Sequence, residues 1–405
     1  MKGLFGSSLV VRQFVARVVR MSSLVLLVLS TAGAFAAANN NAYVVNGNDN
    51  TVSVINTTTN TVVATITGFN LPESAAMTPD GTQVFVANTG NNTISIISTA
   101  TNTISKTITV GNSPVGIAVS DDGKHAYVSN QGDNTVSAID TATDTVVATV
   151  AVGLLPSAVD VSPDSTTIYV ANSNGNSVSV IAAATNTVTA TVLVGILPQG
   201  IMLTPDGKSV YVTNGISNTL SVISTATNTV TATIPVGGFP FGVAVNPNGA
   251  TVYSADGGGN AVSVISVATN TVTASIPVPN SPAGAAVTTD GTKLYIASNL
   301  SNTVAVISTA TNTVTAMITV GQAPLSIATQ PVVQAQAPQG DGDCDDDDGD
   351  KDHDRDHDRD HHRHHHDRDD DACHKDKDKD KDNDKHDRDH DDDGHHDHGD
   401  YDHNR

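Results

Sequence analysis

Residues 114–150 read PVGIAVSDDGKHAYVSNQGDNTVSAIDTATDTVVATV. Four short runs stand in this stretch: 115–120, 125–129, 135–139 and 145–150. Asp121-Asp122-Gly123 ends the first, Asn130-Gln131-Gly132-Asp133-Asn134 the second, and Thr141-Ala142-Thr143-Asp144 the third. The fourth leads to a turn at residues 153–156. Gly, Asn, Asp and Pro punctuate in this way because they tolerate positive φ or pre-set a turn. The runs between them are β-branched and alternating, which predicts strands and not helices.

The same unit recurs along residues 43–330 without a slip. An aromatic stands at Tyr43, Phe85, Tyr127, Tyr169, Tyr211, Tyr253 and Tyr295, each 42 residues after the last. An asparagine keeps step at Asn50, Asn92, Asn134, Asn176, Asn218, Asn260 and Asn302, and a proline at Pro72, Pro114, Pro156, Pro198, Pro240, Pro282 and Pro324. Four strands in a period of this length predict an all-β fold, a seven-bladed β-propeller of four-stranded antiparallel blades. One blade cannot cover both of its faces, so neighbours must, and the ring is the stable unit. One large ring per blade at a fixed place is packing chemistry first. The first copy begins at its second strand and the last stops after a first strand, at 325–329. The seventh blade is therefore expected to join three N-terminal strands, about 43–68, to the C-terminal one. Such closure leaves no open inner edge.

Tyr211-Val212-Thr213-Asn214 is literally the YVTN signature, and close variants stand at Tyr43-Val44-Val45-Asn46, Phe85-Val86-Ala87-Asn88, Tyr127-Val128-Ser129-Asn130 and Tyr169-Val170-Ala171-Asn172. The chain resembles the YVTN-repeat β-propellers on these residues and on its Asn-Thr-Val-Ser-Val-Ile and Pro-Asp-Gly segments. The last two copies depart, with Asp256 and Ser298 where the signature asparagine belongs. The resemblance implies a propeller that is usually exported, in a family whose members mostly lack an assigned reaction. It carries over no catalytic residue.

Both ends differ from the repeats. Lys2, Arg12, Arg17 and Arg20 precede an apolar stretch at 24–29, and Ala34-Phe35-Ala36 fits a small-x-small cleavage site. Residues 1–36 are expected to be a signal peptide. Their apolar core is far shorter than the ~20 residues that a bilayer span needs. The mature protein is then periplasmic, extracellular or at the cell surface, with no membrane span after cleavage. The propeller region is assigned to 37–330, followed by a linker at 331–339. Residues 340–405 hold 29 Asp, 14 His and 12 Lys plus Arg, a formal charge of 12 − 29 = −17. That segment has no Val, Leu, Ile or Phe, so it cannot build a core and is expected to be a disordered, low-complexity tail.

Charge excludes some partners. The repeats carry 13 acids against Lys106, Lys124, Lys208 and Lys293, and no arginine. Nucleic acid is not expected, because phosphate binding needs a basic stripe. A phosphosugar is equally unexpected. A monomer is the expected state.

Catalytic signals are sparse. The repeats hold one histidine, His125, one glutamate, Glu73, and no cysteine. His125 reads as a solvent-exposed turn residue. Glu73 and Asp160 fall in inner strands, at places where other copies are mostly apolar or small. A dry seam between blades would penalise a charge, so both are expected to face the channel. Gly257-Gly258-Gly259 is a strand connection and not a phosphate loop, since no helix follows it.

Two features suggest binding. In three consecutive copies the loop before the inner strand is apolar, at Leu154 and Leu155, Ile196 and Leu197, then Phe239 and Phe241. Consecutive copies are adjacent blades, so these groups share one sector, a candidate surface for a protein or ligand if they do not fold inward. The tail histidines His361, His362, His364, His365, His366, His395, His396 and His398 suit Zn²⁺ or Ni²⁺, and its carboxylates suit Ca²⁺. Cys344 and Cys373 could pair in an oxidising compartment. No cofactor is required by any motif. A non-enzymatic scaffold is the favoured expectation, with a metal-sequestering or metal-delivery protein and a lactonase-like hydrolase at the channel mouth as alternatives.

Imidazole must be neutral to ligate, and its free pKa is about 6.5. Zn²⁺ binding by the full chain, measured by titration calorimetry, is predicted to weaken from pH 7.5 to pH 5.5 and to vanish when 340–405 are removed. Equal affinity at both pH values would exclude histidine as the main ligand.

Overall fold

The structure, a computed structural model, describes residues 40–330. The signal peptide, linker and tail expected above, with the tail histidines and both cysteines, lie outside the described residues.

Seven four-stranded antiparallel sheets make up the described chain, as the period predicts. Six blades are contiguous in sequence. The second begins with Pro72–Met77, the third with Pro114–Val119, the fourth with Pro156–Val161, the fifth with Pro198–Leu203, the sixth with Pro240–Val245 and the seventh with Pro282–Val287. The first blade is the composite one. Its inner strand is Pro324–Thr329, paired antiparallel to Asn41–Asn46, which leads on to Thr51–Asn56 and Thr61–Thr67. The ring is thus fastened by a strand from each end of the propeller sequence. Inner strands of successive blades, including the first with the second and the seventh with the first, lie side by side around a central channel.

The core is a series of seams between blades. Tyr127, Val136 and Ala138 of the third blade pack on Val159, Val161, Ile168 and Val170 of the fourth. Tyr169 of the fourth then meets Ile201, Leu203, Val210 and Val212 of the fifth. Each anchor ring therefore belongs to the interface with the following blade. Three hydroxyls also bond across it. Tyr43 donates to Asn102 Oδ1 at 2.7 Å, Tyr211 to Asn270 Oδ1 at 3.0 Å and Tyr295 to Asn60 Oδ1 at 2.8 Å.

The signature asparagine is a buried bracket inside five of the seven blades. Asn88 Nδ2 donates to Thr93 Oγ1 at 3.2 Å and Ser95 Oγ at 2.9 Å, and the same pair of bonds recurs at Asn46, Asn130, Asn172 and Asn214. The two departures now have a physical account. Asp256 can only accept while ionised, so the bond to Ser263 reverses, Ala261 stands where the other bracket hydroxyl would be, and Ser254 of its own strand replaces it. Ser263 donates to it at 2.6 Å and Ser254 at 2.8 Å. At Ser298 the bracket is lost: the partner serine is Ala305, and Ser298 Oγ and Thr303 Oγ1 are buried without partners.

Outer strands leave an exposed edge on each blade. All seven pairings of third strand with outer strand shift register at the same place, between Ala138 and Ile139 in the third blade. A bulge there bends the edge and discourages edge-to-edge pairing.

Two changes test the ring. Tyr169→Ala empties a seam position that is 2% exposed and should cost about 3–5 kcal/mol in a chemical denaturation curve. Deleting residues from Leu325 onward strips the first blade of its inner strand. Cooperative unfolding should then be lost, and a truncated chain that melts like the intact one would disprove this closure.

Candidate functional site

The ring has two ends. At one, called the mouth end here, lie the loops between second and third strands and the crossovers that lead into the next inner strand. At the other lie the turns from inner to second strand and from third to outer strand.

The mouth end is built by a bond that recurs in every blade. The periodic asparagines Asn50, Asn92, Asn134, Asn176, Asn218, Asn260 and Asn302 all have positive φ, between 48° and 60°. Asparagine tolerates this left-handed region better than most residues. Each Oδ1 accepts the amide of the residue 21 positions on: Leu71, Ser113, Leu155, Leu197, Phe239, Ser281 and Ala323, at 2.7–3.0 Å. Those acceptor-bound residues are left-handed too. Four of them are bulky: Leu71 at φ 45°, Leu155 at 49°, Leu197 at 61° and Phe239 at 49°. Large side chains are seldom held in this conformation.

Their side chains do not fold inward to a dry site. Leu154 is 54% exposed, Phe239 42% and Phe241 37%. Leu155 and Ile196 are exposed and Leu197 is half-buried. The apolar sector therefore lies largely open. It also extends further than the crossovers alone. Leu71, Ile216 and Leu300 are exposed at the same end. Ile216 and Leu300 occupy the loop place that holds Asn48, Gly90, Gly132, Asn174 and Gly258 elsewhere, and that contrast was available in the sequence.

Seven residues, one per inner strand, ring the channel at its mouth: Glu73, Val115, Ser157, Gln199, Phe241, Ala283 and Leu325. Glu73 is among the residues that line the channel cavity. Its carboxyl has no hydrogen-bond or ion-pair partner among the described residues, and burial raises its pKa above the ordinary glutamate value.

Asp160 corrects the expectation. It is the cross-strand partner of Tyr169, and so shares the face that Tyr169 presents to the fifth blade. Its Oδ2 accepts the amide of Leu203 in the fifth blade at 2.7 Å, and its Oδ1 accepts Val161 N at 3.0 Å. It is not among the residues that line the channel cavity. Two backbone donors offset the penalty that argued against a seam position. Burial still dominates and pushes its pKa up to about 7. Glu73 and Asp160 are not brought together: the third blade stands between theirs, and they sit at different heights.

His125 is also corrected. It opens the strand His125–Asn130 instead of lying in the turn, and it is half-buried, 6.2 Å from the Tyr127 ring. It lies at the end away from the mouth, as do Lys124, Lys208 and Lys293. Lys106 reaches Asp144 at 3.1 Å and Thr143 O in a turn at that end. Among the described residues no group of three or more His, Cys, Asp or Glu is placed to hold a metal ion. No helix among them is long and apolar enough to cross a membrane.

A family model described as a lactonase, 7-bladed beta-propeller, matches residues 32–195. A second, described as a YNCE-like beta-propeller, matches residues 164–250. Both name the fold that the seven sheets form, and the tetrapeptide repeats stand in its second strands. The chain is a seven-bladed β-propeller with YVTN-type repeats. No curated protein matches it. Among solved structures, a chain of the hydrazine synthase of Kuenenia stuttgartiensis is similar, at 23% identity and TM-score 0.62. It matches over 70% of this chain and 99% of that one. A functionally unknown protein from Desulfotomaculum acetoxidans DSM 771 is similar at 20% identity and TM-score 0.65, over 72% of this chain and 99% of that one. At these identities the likeness is one of fold.

The raised pKa of Asp160 has a sign that can be measured. Its folded value lies above the ordinary 3.8, so the native state holds a proton that the unfolded state releases. This contribution favours the fold at low pH and is lost as pH rises through about 7. Asp160→Asn should flatten the fall in melting temperature between pH 5 and pH 8. Parallel profiles for both proteins would show that another group is responsible.

Proposed function

We propose that this propeller is an exported, non-enzymatic recognition scaffold that captures a protein or ligand on its mouth end. The observation that carries the reading is the open apolar sector on adjacent blades, where Leu155 and Phe239 are held left-handed with exposed side chains. Contiguous exposed apolar groups mark interaction sites. A fold that needed only stable crossovers would use Asn, Ser or Ala there, as other copies do. Export rests on the N-terminal segment, and divalent-metal binding by the tail rests on its His and Asp content. Both belong to this proposal, with metal sequestration or delivery as the narrower form of it.

The lactonase family match favours one second reading, hydrolysis at the channel mouth. Its support within the chain is a single carboxyl, Glu73, since Asp160 is engaged by two backbone amides in a seam. A lactone-hydrolysis assay with Glu73→Gln as control tests it: activity lost with that change would establish the enzyme reading in place of the scaffold.

The scaffold reading is tested by the double change Phe239→Ser and Phe241→Ser. Binding energy should concentrate on such rings. The variant is predicted to lose capture from an envelope extract while its melting temperature stays within a few degrees of the parent. A large fall in melting temperature with capture retained would show that the rings serve packing.

A further inference from the structure

The two blades that depart from the signature asparagine frame a cavity of about 400 Å³ at the mouth end. Phe239 and Phe241 of the sixth blade form one side and Leu325 of the first blade the other. Pro282 and Ala283 of the seventh blade make the floor between them. Ala283 is the smallest of the seven mouth residues, and this leaves the gap between Phe241 and Leu325. The connection Gly257-Gly258-Gly259 leaves the adjoining wall bare. A Cβ on Gly258 would come within 3.3 Å of Phe239 Cβ and 3.2 Å of Gly238 O, so a side chain there would displace Phe239. Ser281 and Asn299 add polar groups at the rim. The size suits a small ligand.

The cavity continues into the channel. Phe241, Ala283 and Leu325 line both spaces, and the next mouth residue after Leu325 is Glu73. Around the ring the order is therefore Phe241, Ala283, Leu325, Glu73. Glu73 is a partly desolvated carboxyl without a counter-charge, and burial raises its pKa. The four lysines and one histidine among the described residues lie toward the other end, so no cationic side chain among them stands at the mouth to attract an anion. Phenylalanine faces also attract cations through the ring quadrupole.

The geometry points to a site for a small organic ammonium ion with an apolar or aromatic arm. The arm fills the cavity between Phe239, Phe241 and Leu325, and the ammonium group lies in the channel mouth beside Glu73. This inference rests on the recognition-scaffold reading and gives one ligand class for part of that face. A cation there supplies the counter-charge that Glu73 lacks, and the apolar arm covers rings that are otherwise wet.

Calorimetry on the full chain with three probes of matched shape tests this: phenethylammonium, 2-phenylethanol and 3-phenylpropionate. Phenethylammonium is expected to bind roughly tenfold more tightly than the alcohol, the scale of one desolvated cation contact. Phenylpropionate is expected to bind more weakly than either. Glu73→Gln should bring the ammonium down to the level of the alcohol and leave the alcohol unchanged. Phe241→Leu keeps an apolar group in place, so the fold is retained, and it should weaken both. The proposal is overturned if the ammonium does not bind, if phenylpropionate binds as well, or if Glu73→Gln leaves the preference intact. Failure here with capture still lost in the Phe239→Ser, Phe241→Ser protein would remove the ammonium site and leave the scaffold reading standing. Ammonium binding with capture unaffected by the double change would do the reverse.

Discussion

A single hydrogen bond, repeated seven times, sets the mouth end of this molecule: an asparagine carboxamide accepts the amide of the residue 21 positions later. It fixes each crossover as the chain passes from an outer strand to the next inner one. Without it the crossover amide would lose its partner, and a leucine or phenylalanine at positive φ would be held only by the bond that its carbonyl accepts from the adjoining loop. Because the bond involves only a backbone N–H on the crossover side, the residue that donates is free to vary. Serine, alanine, leucine and phenylalanine all occur there, at the same geometry. The periodic asparagine thus uncouples backbone shape from side-chain identity, and the mouth end can diversify while the ring does not.

The signature asparagine works under the opposite rule. Its Nδ2 is satisfied by two hydroxyls on the neighbouring strand, so any change there must be answered by its partners. The sixth blade answers with a reversed bond from Ser263 and a new one from Ser254 to Asp256, whose pKa burial raises. The seventh replaces the partner serine by Ala305 and leaves two hydroxyls buried and unpaired. These are the blades that frame the aryl-lined cavity. The triple-glycine connection keeps side-chain bulk out of the cavity wall.

Period, blade number and ring closure were legible in the sequence because each follows from spacing alone. Glu73 was legible as a channel residue because a lone carboxylate on an inner strand is costly in a dry seam. Asp160 was not. The same cost argument points it to the channel, but the seam supplies two backbone amides to its carboxylate. The donor that makes a seam position tolerable, Leu203 N, is 43 residues away and invisible to any local pattern. Ile216 and Leu300 were legible by comparison among copies, while the left-handed backbone under Phe239 was not, since nothing in a phenylalanine announces positive φ.

The clasp has a mechanical side. Asn41–Asn46 and Pro324–Thr329 run antiparallel, with Ala42 opposite Thr329, and Gln330 N donates to Asn41 O. Both strands therefore meet the rest of the chain at the same edge of the ring, away from the mouth. A force drawing these two points apart would peel the pair one bond at a time, the weakest way to load a ladder.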